Sequence, residues 1–307
     1  DQPLTTFQPT IITTTGTLTI NDPINTSGFS LTLPASVTIT SSGSINTGGG
    51  SCSGTGCPVT TIFWDGDGGD HDWFNPLNWS IDTRPPNSTD DVVIASGAGT
   101  ILIATGATAQ AKSLIANSDV SVSAGSLQLS SASQFTGQFK LSGGTLDGAG
   151  SAAVTGAGGS LLWSGGTMDS GGSFLLGGGN SGTLSNALTL NRLFDNRGAL
   201  TLSSASVSGT GSIVNSGLLR ATSGTSNTIN TSLANVFTPT VGTIQLSGAG
   251  TTLTATNFPT NAGQIVVTNG GTLSTGANSL TNTASSSLTI DAGNYTTASG
   301  GVSVATT

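Results

Sequence analysis

Residues 63–80, FWDGDGGDHDWFNPLNWS, hold a large share of the chemically capable side chains of this 307-residue chain. They include its only histidine, three of its four tryptophans and four of its 14 acidic residues. Asp65, Asp67, Asp70 and Asp72 supply the oxygen donors that a calcium ion takes in sets of about six to eight. The spacing departs from an EF-hand loop, because Gly69 occupies a liganding position and no glutamate closes the loop. Asp-Gly pairs are also standard turn formers, and turn chemistry is the favoured reading, with Ca²⁺ as its rival. A Ser-His-Asp triad would have to use His71. No Gly-x-Ser-x-Gly elbow accompanies it, so it reads as a solvated side chain. Trp64, Trp73 and Trp79 suit either a sugar-stacking platform or a local apolar core. A long loop needs anchors, and an indole buries a large area with one N–H to satisfy, so the core is preferred.

Asp147 and Asp169 are the best enzymatic candidates. They recur at matching places in LSGGTLDGAGSAAV (141–154) and WSGGTMDSGGSFLL (163–176), one repeat apart. Two carboxylates about 5 Å apart would suit a retaining glycosidase. Their sequence neighbours are Gly, Ser and Ala, without the basic or aromatic partners of a saccharide cleft, so they read as turn residues. No catalytic residue is assigned, and the chain is expected not to be an enzyme. Cys52 and Cys57, separated by a short Gly-rich gap in SCSGTGCP, are expected to form a disulfide, which suits an oxidising setting.

The repeat that places these acids also fixes the elements around them. Alternating apolar residues and Ser, Thr, Asn or Gly recur in units of about 20 residues, too small to bury an apolar face alone; stacking solves that problem. The expected fold is therefore all-β: a right-handed parallel β-helix, or solenoid, with a Trp/Asp/Gly-rich loop insertion near residues 48–91. A β-sandwich is the alternative, but it gives no reason for SGGT(L/M)D to recur at a fixed offset. The expected divisions are 1–50 (extra coils or a pairing strand), 51–91 (disulfide and Trp-rich loop or cap) and 92–307 (parallel β-helix). Leu141, Leu146, Trp163, Met168, Leu175, Leu200, Leu202, Ile244 and Leu246 are expected to face inward.

Only 7% of residues are charged and the net charge is −8. That balance argues against nucleic acid, whose phosphates need a basic patch, and against an anionic membrane surface. No apolar run approaches the ~20 residues of a membrane helix. The chain opens at Asp1 without a signal peptide, as a mature product or a segment of something longer would. From Pro9 to Ile20 it is apolar, β-rich and uncharged. Pro9, Ile11, Ile12, Leu18 and Ile20 are expected to pair with a neighbouring copy, an association that propagates head to tail rather than closing.

Trp64, Gly66, Trp73, Asn78, Trp79, Pro85 or Pro86, Asp91 and the strand Val92–Ile94 resemble the entry segment of large bacterial cell-surface β-solenoid proteins. Downstream, LLWSGGTMDSGGSFLL, LTLNRLFDNRGALTL and GTGSIVNSGLLRA are similar to the coils of adhesin and autotransporter-passenger-like solenoids. The resemblance covers roughly residues 62–270. It implies an extracellular, fibrous or adhesive protein of a bacterial surface. Surface carbohydrate is a further partner it allows. The alternative is a carbohydrate-active β-helix enzyme or a sugar-binding module.

Overall fold

The computed structural model describes residues 61–238 and 240–296 throughout. Elsewhere it describes the short strands Leu4–Thr5, Thr10–Ile11, Leu18–Ile20, Ile24–Asn25, Leu31–Thr32, Val37–Ile39, Ile45–Asn46, Cys52–Ser53 and Val302–Val304. The chain divides into two compact units, Asp1–Thr60 and Thr61–Thr307. The fold is a right-handed parallel β-solenoid of about ten stacked turns.

In the first unit the described strands stack in parallel as successive coils do. Leu4 pairs with Ile24 and Ile24 with Ile45; Thr10 pairs with Leu31 and Leu31 with Cys52; Leu18 pairs with Val37. The expected Cys52–Cys57 disulfide is withdrawn, because no disulfide is present among the described residues. Cys52 opens a strand in register with Leu31, a place for an ordinary strand residue rather than a loop staple. Cys57 lies outside the described residues.

In the second unit each coil contributes one strand to a 12-stranded sheet and further strands to a 16-stranded sheet. The larger sheet wraps two faces, because long strands such as Gln138–Gly148 and Ser160–Gly171 bend partway along. The register breaks between Ser142 and Thr145, which is the SGGT of the sequence repeat. There Gly144 and Gly166 have φ of 66° and 79°, in the left-handed region that favours glycine. A Cβ on Gly166 would lie 2.4 Å from the carbonyl oxygen of Gly144 in the coil before it. The repeat thus records a corner at which stacked backbones touch.

Alternation on either side of each corner sends one set of side chains inward. Leu141, Leu146, Trp163, Met168, Leu200, Leu202, Ile244 and Leu246 are fully buried in one continuous apolar core. Rings stack along it, with Phe139–Phe174 centroids at 6.0 Å and Phe174–Phe194 at 5.3 Å. Leu175 departs from expectation. Phe174 and Leu176 point inward, and Leu175 sits half-buried on the outer face between them. Leu175→Ser is accordingly expected to stay within about 1 kcal/mol of the parent in urea unfolding, as outer-face substitutions do.

The 12-stranded sheet also carries an inner row that changes character. Val154 pairs with Leu176, Leu176 with Asn196, and then Asn215, Asn235, Asn261 and Asn282 follow in register. These five asparagines are buried, and each amide nitrogen donates to the amide oxygen of the next, at 2.6–2.8 Å. Among the described residues, no helix is long and apolar enough to cross a membrane.

Candidate functional site

The tryptophan loop lies inside one coil. Thr61–Phe63 pairs in parallel with Asp91–Val93, and Asp91 pairs in turn with Ser113, so the coil from Thr61 to Asp91 is longer than the one that follows it. Trp79 packs edge-on between Trp64 and Trp73, with ring centroids at 4.9 and 4.8 Å. Trp73 and Trp79 are fully buried and Trp64 nearly so. The three rings therefore form an interior cluster and offer no platform for stacking a sugar. The Trp79 indole N–H donates to the Trp73 carbonyl at 2.8 Å. The loop then lies against the first strand of the larger sheet: Leu102 N donates to His71 O at 2.8 Å, and Trp73 N to Leu102 O at 3.0 Å. His71–Trp73 thus covers the edge of Ile101–Ile103, where a preceding coil would otherwise sit.

The loop's acids serve the same task. Asp70 accepts from the Asp72 backbone N–H at 3.0 Å, from Asn78 Nδ2 at 2.7 Å and from Asn75 Nδ2 at 2.9 Å. Those bonds, the backbone one foremost, hold its carboxyl below the usual carboxylate range. Asp72 accepts from Phe74 N at 3.0 Å, and Asp65 from Asp67 N at 3.4 Å. These are Asx turns. Asp65, Asp67, Asp70 and Asp72 do not converge, and among the described residues no three His, Cys, Asp or Glu side chains group to hold a metal ion. Each carboxylate oxygen with a described partner is turned toward the loop's own amides. His71 is exposed, and its ring lies over Gly99.

One ion pair closes the loop. Arg84 donates two parallel bonds to Asp90, at 2.5 and 3.0 Å, and the Asp90 carboxylate is 1% exposed. Asn87 N adds a third bond at 2.7 Å. A bidentate Arg–carboxylate pair fixes geometry as well as charge, and it sets the entry of Asp91–Ile94 into the sheet.

Asp147 and Asp169 sit on adjacent coils, one position beyond the paired Leu146 and Met168. The structure adds a partner that the local sequence does not reveal. Arg192, only 3% exposed, runs across two coils. Its Nε donates to Asp169 O at 2.6 Å and its Nη2 to Leu146 O at 3.1 Å. Among the described residues its Nη1 has no hydrogen-bond partner. Burial lowers the pKa of this guanidinium, and the charges of Asp147 and Asp169 oppose that effect. Asn191 Nδ2 donates to Asp169 Oδ1 at 3.1 Å, while Thr210 N donates to Asn191 Oδ1 at 3.2 Å. Asp147 accepts from Gly148 N at 2.6 Å. Beside this cluster lies a shallow depression of about 410 Å³, lined in part by Arg192, Asn191, Thr210, Ser173, Ser212 and Leu193.

The residues expected to pair between copies lie in the first unit. Pro9 and Ile12 are outside the described residues. Ile11 is 73% exposed. Leu18 and Ile20 already pair within the chain, with Val37 and Ile39. No family model, curated protein or solved structure matches this chain.

Proposed function

We propose that this chain is a non-enzymatic structural or adhesive solenoid of a bacterial cell surface, working outside the cell and assembling head to tail with its own copies. The observation that carries this reading is a repeated outer surface. Thr108, Ser126, Thr145, Thr167, Thr189 and Ser208 pair in register on six successive coils, forming a row of hydroxyls. Such a row offers many equivalent contacts, which suits multivalent adhesion or lateral packing better than one reaction centre. Parallel stacking in register supports assembly between copies, because the pairing that joins coils within a chain also joins coils of two chains. Ile11, exposed in the strand Thr10–Ile11, is an apolar contact for that pairing.

The test is sedimentation and negative-stain electron microscopy of the chain with and without residues 1–20. Filaments from the intact chain that disappear on truncation are expected. A stable monomer from the intact chain would overturn assembly, and filaments unchanged by truncation would overturn the head-to-tail mechanism. Release of reducing ends from polysaccharide by the purified chain would overturn the non-enzymatic reading.

A further inference from the structure

We propose that the depression beside Arg192 is a binding subsite for a neutral saccharide. The inference rests on the adhesive reading and names the ligand class it lacks. Charged side chains are rare in this chain, 20 of 307, yet three of them act on one another here. Arg192 is almost wholly buried, which is costly for a cation unless its donors are used. Nε and Nη2 are used on backbone carbonyls, but Nη1 has no acceptor among the described residues. A buried donor left unpaired in a native structure calls for an explanation, and an acceptor brought by a ligand is one.

The surroundings select the ligand. The charges of Asp147 and Asp169 already act on Arg192 and offset its guanidinium, so an acidic sugar gains little from it. The groups lining the depression differ in role: Arg192 only donates, while Asn191 and Thr210 both donate and accept. A ligand matching that set presents neighbouring hydroxyls, each able to donate to one group and accept from the next. Leu193, 42% exposed in the same depression, gives an apolar surface for the C–H face of a sugar ring. Ser173 and Ser212, on the coils either side of Leu193, extend the hydroxyl lining along the solenoid.

The experiment is titration calorimetry of the full chain with neutral β-glucan, mannan and galactan oligosaccharides, and with polygalacturonate as the acidic control. At least one neutral probe is expected to bind, and polygalacturonate to bind at least tenfold more weakly. Asn191→Ala and Thr210→Val change half-exposed and exposed positions and are expected to leave the fold intact; each is expected to weaken binding at least tenfold. Arg192→Gln is expected to abolish it, with circular dichroism checking that this variant folds. No binding of any neutral probe at millimolar concentration would overturn the proposal, as would preference for polygalacturonate or unchanged affinity in Asn191→Ala and Thr210→Val. Filament formation is read on the same samples. Filaments without sugar binding would sink the subsite and leave the structural role standing; sugar binding without filaments would do the reverse for assembly.

Discussion

Replacing Trp79 by alanine is expected to cost about 3–5 kcal/mol of folding stability, the range for emptying a buried aromatic site. The indole is fully buried. It holds the loop in two ways, by packing edge-on against both other rings and by donating to Trp73 O. An alanine removes the contacts and leaves a buried carbonyl without its donor. The loop in turn covers the strand Ile101–Ile103 through the bonds between His71, Trp73 and Leu102. The loss should therefore appear in two measurements. Urea unfolding should shift by the stated amount, and amide exchange at Leu102 and Trp73 should accelerate before exchange in the central coils does. A loss below about 1 kcal/mol, the scale of an ordinary point substitution, with exchange unchanged at Leu102, would show that the ion pair Arg84–Asp90 and the Asx turns hold the loop without the indole cluster.

The solenoid is legible in the sequence because stacking imposes a period. SGGT recurs since its corner residue takes a positive φ with a neighbouring backbone against it, which glycine meets most readily, although the following coils carry Asn186 and Ser204 at φ of 62° and 57°. Once the corner is placed, alternation sends Leu141, Leu146, Trp163 and Met168 inward. Leu175 escapes this reading for a related reason. Phe174-Leu175-Leu176 is an unbroken apolar run, and such a run carries no alternation to say which member faces out. The pairing of Ala152 with Phe174 decides it. Arg192 is illegible for another reason: its bond to Leu146 O spans 46 positions of the chain. Local composition around Asp147 and Asp169 shows only Gly, Ser and Ala, and the basic partner arrives from a later coil. The cysteines show the converse error. A short C-x4-C gap suggests a staple when read locally, yet Cys52 takes a strand position set by Leu31 one coil earlier.

Asn215→Ala is expected to destabilise the fold far more than Asn282→Leu, although both residues belong to one row of buried amides. The difference follows from direction. Asn215 Nδ2 donates to Asn235 Oδ1 at 2.7 Å and to Thr243 O at 3.2 Å. Alanine leaves Asn235 Oδ1 buried and without this donor, at about 1–3 kcal/mol, and also strips the part-buried Thr243 O of its side-chain bond. Asn282 is the acceptor of the last described bond in the row, from Asn261 Nδ2 at 2.8 Å. Removing it leaves that nitrogen its backbone acceptors, Gly263 O at 3.1 Å and Ser287 O at 3.3 Å. The expected loss at Asn282 is then no more than the net worth of one hydrogen bond, about 0.5–1.5 kcal/mol. The row's signature in sequence is an asparagine just before the next strand, as in DNRG, VNSG and TNAG, and it reads locally as turn chemistry. Its role is to supply a donor inside each corner, where a backbone carbonyl such as Leu218 O or Gln264 O would otherwise be left without that side-chain bond. Leucine fills the same inner position at Leu176, so volume does not require the amide. Equilibrium urea unfolding of the two variants gives the ordering. Equal losses at both sites would mean that the amides act by packing alone, and the directional account would fall.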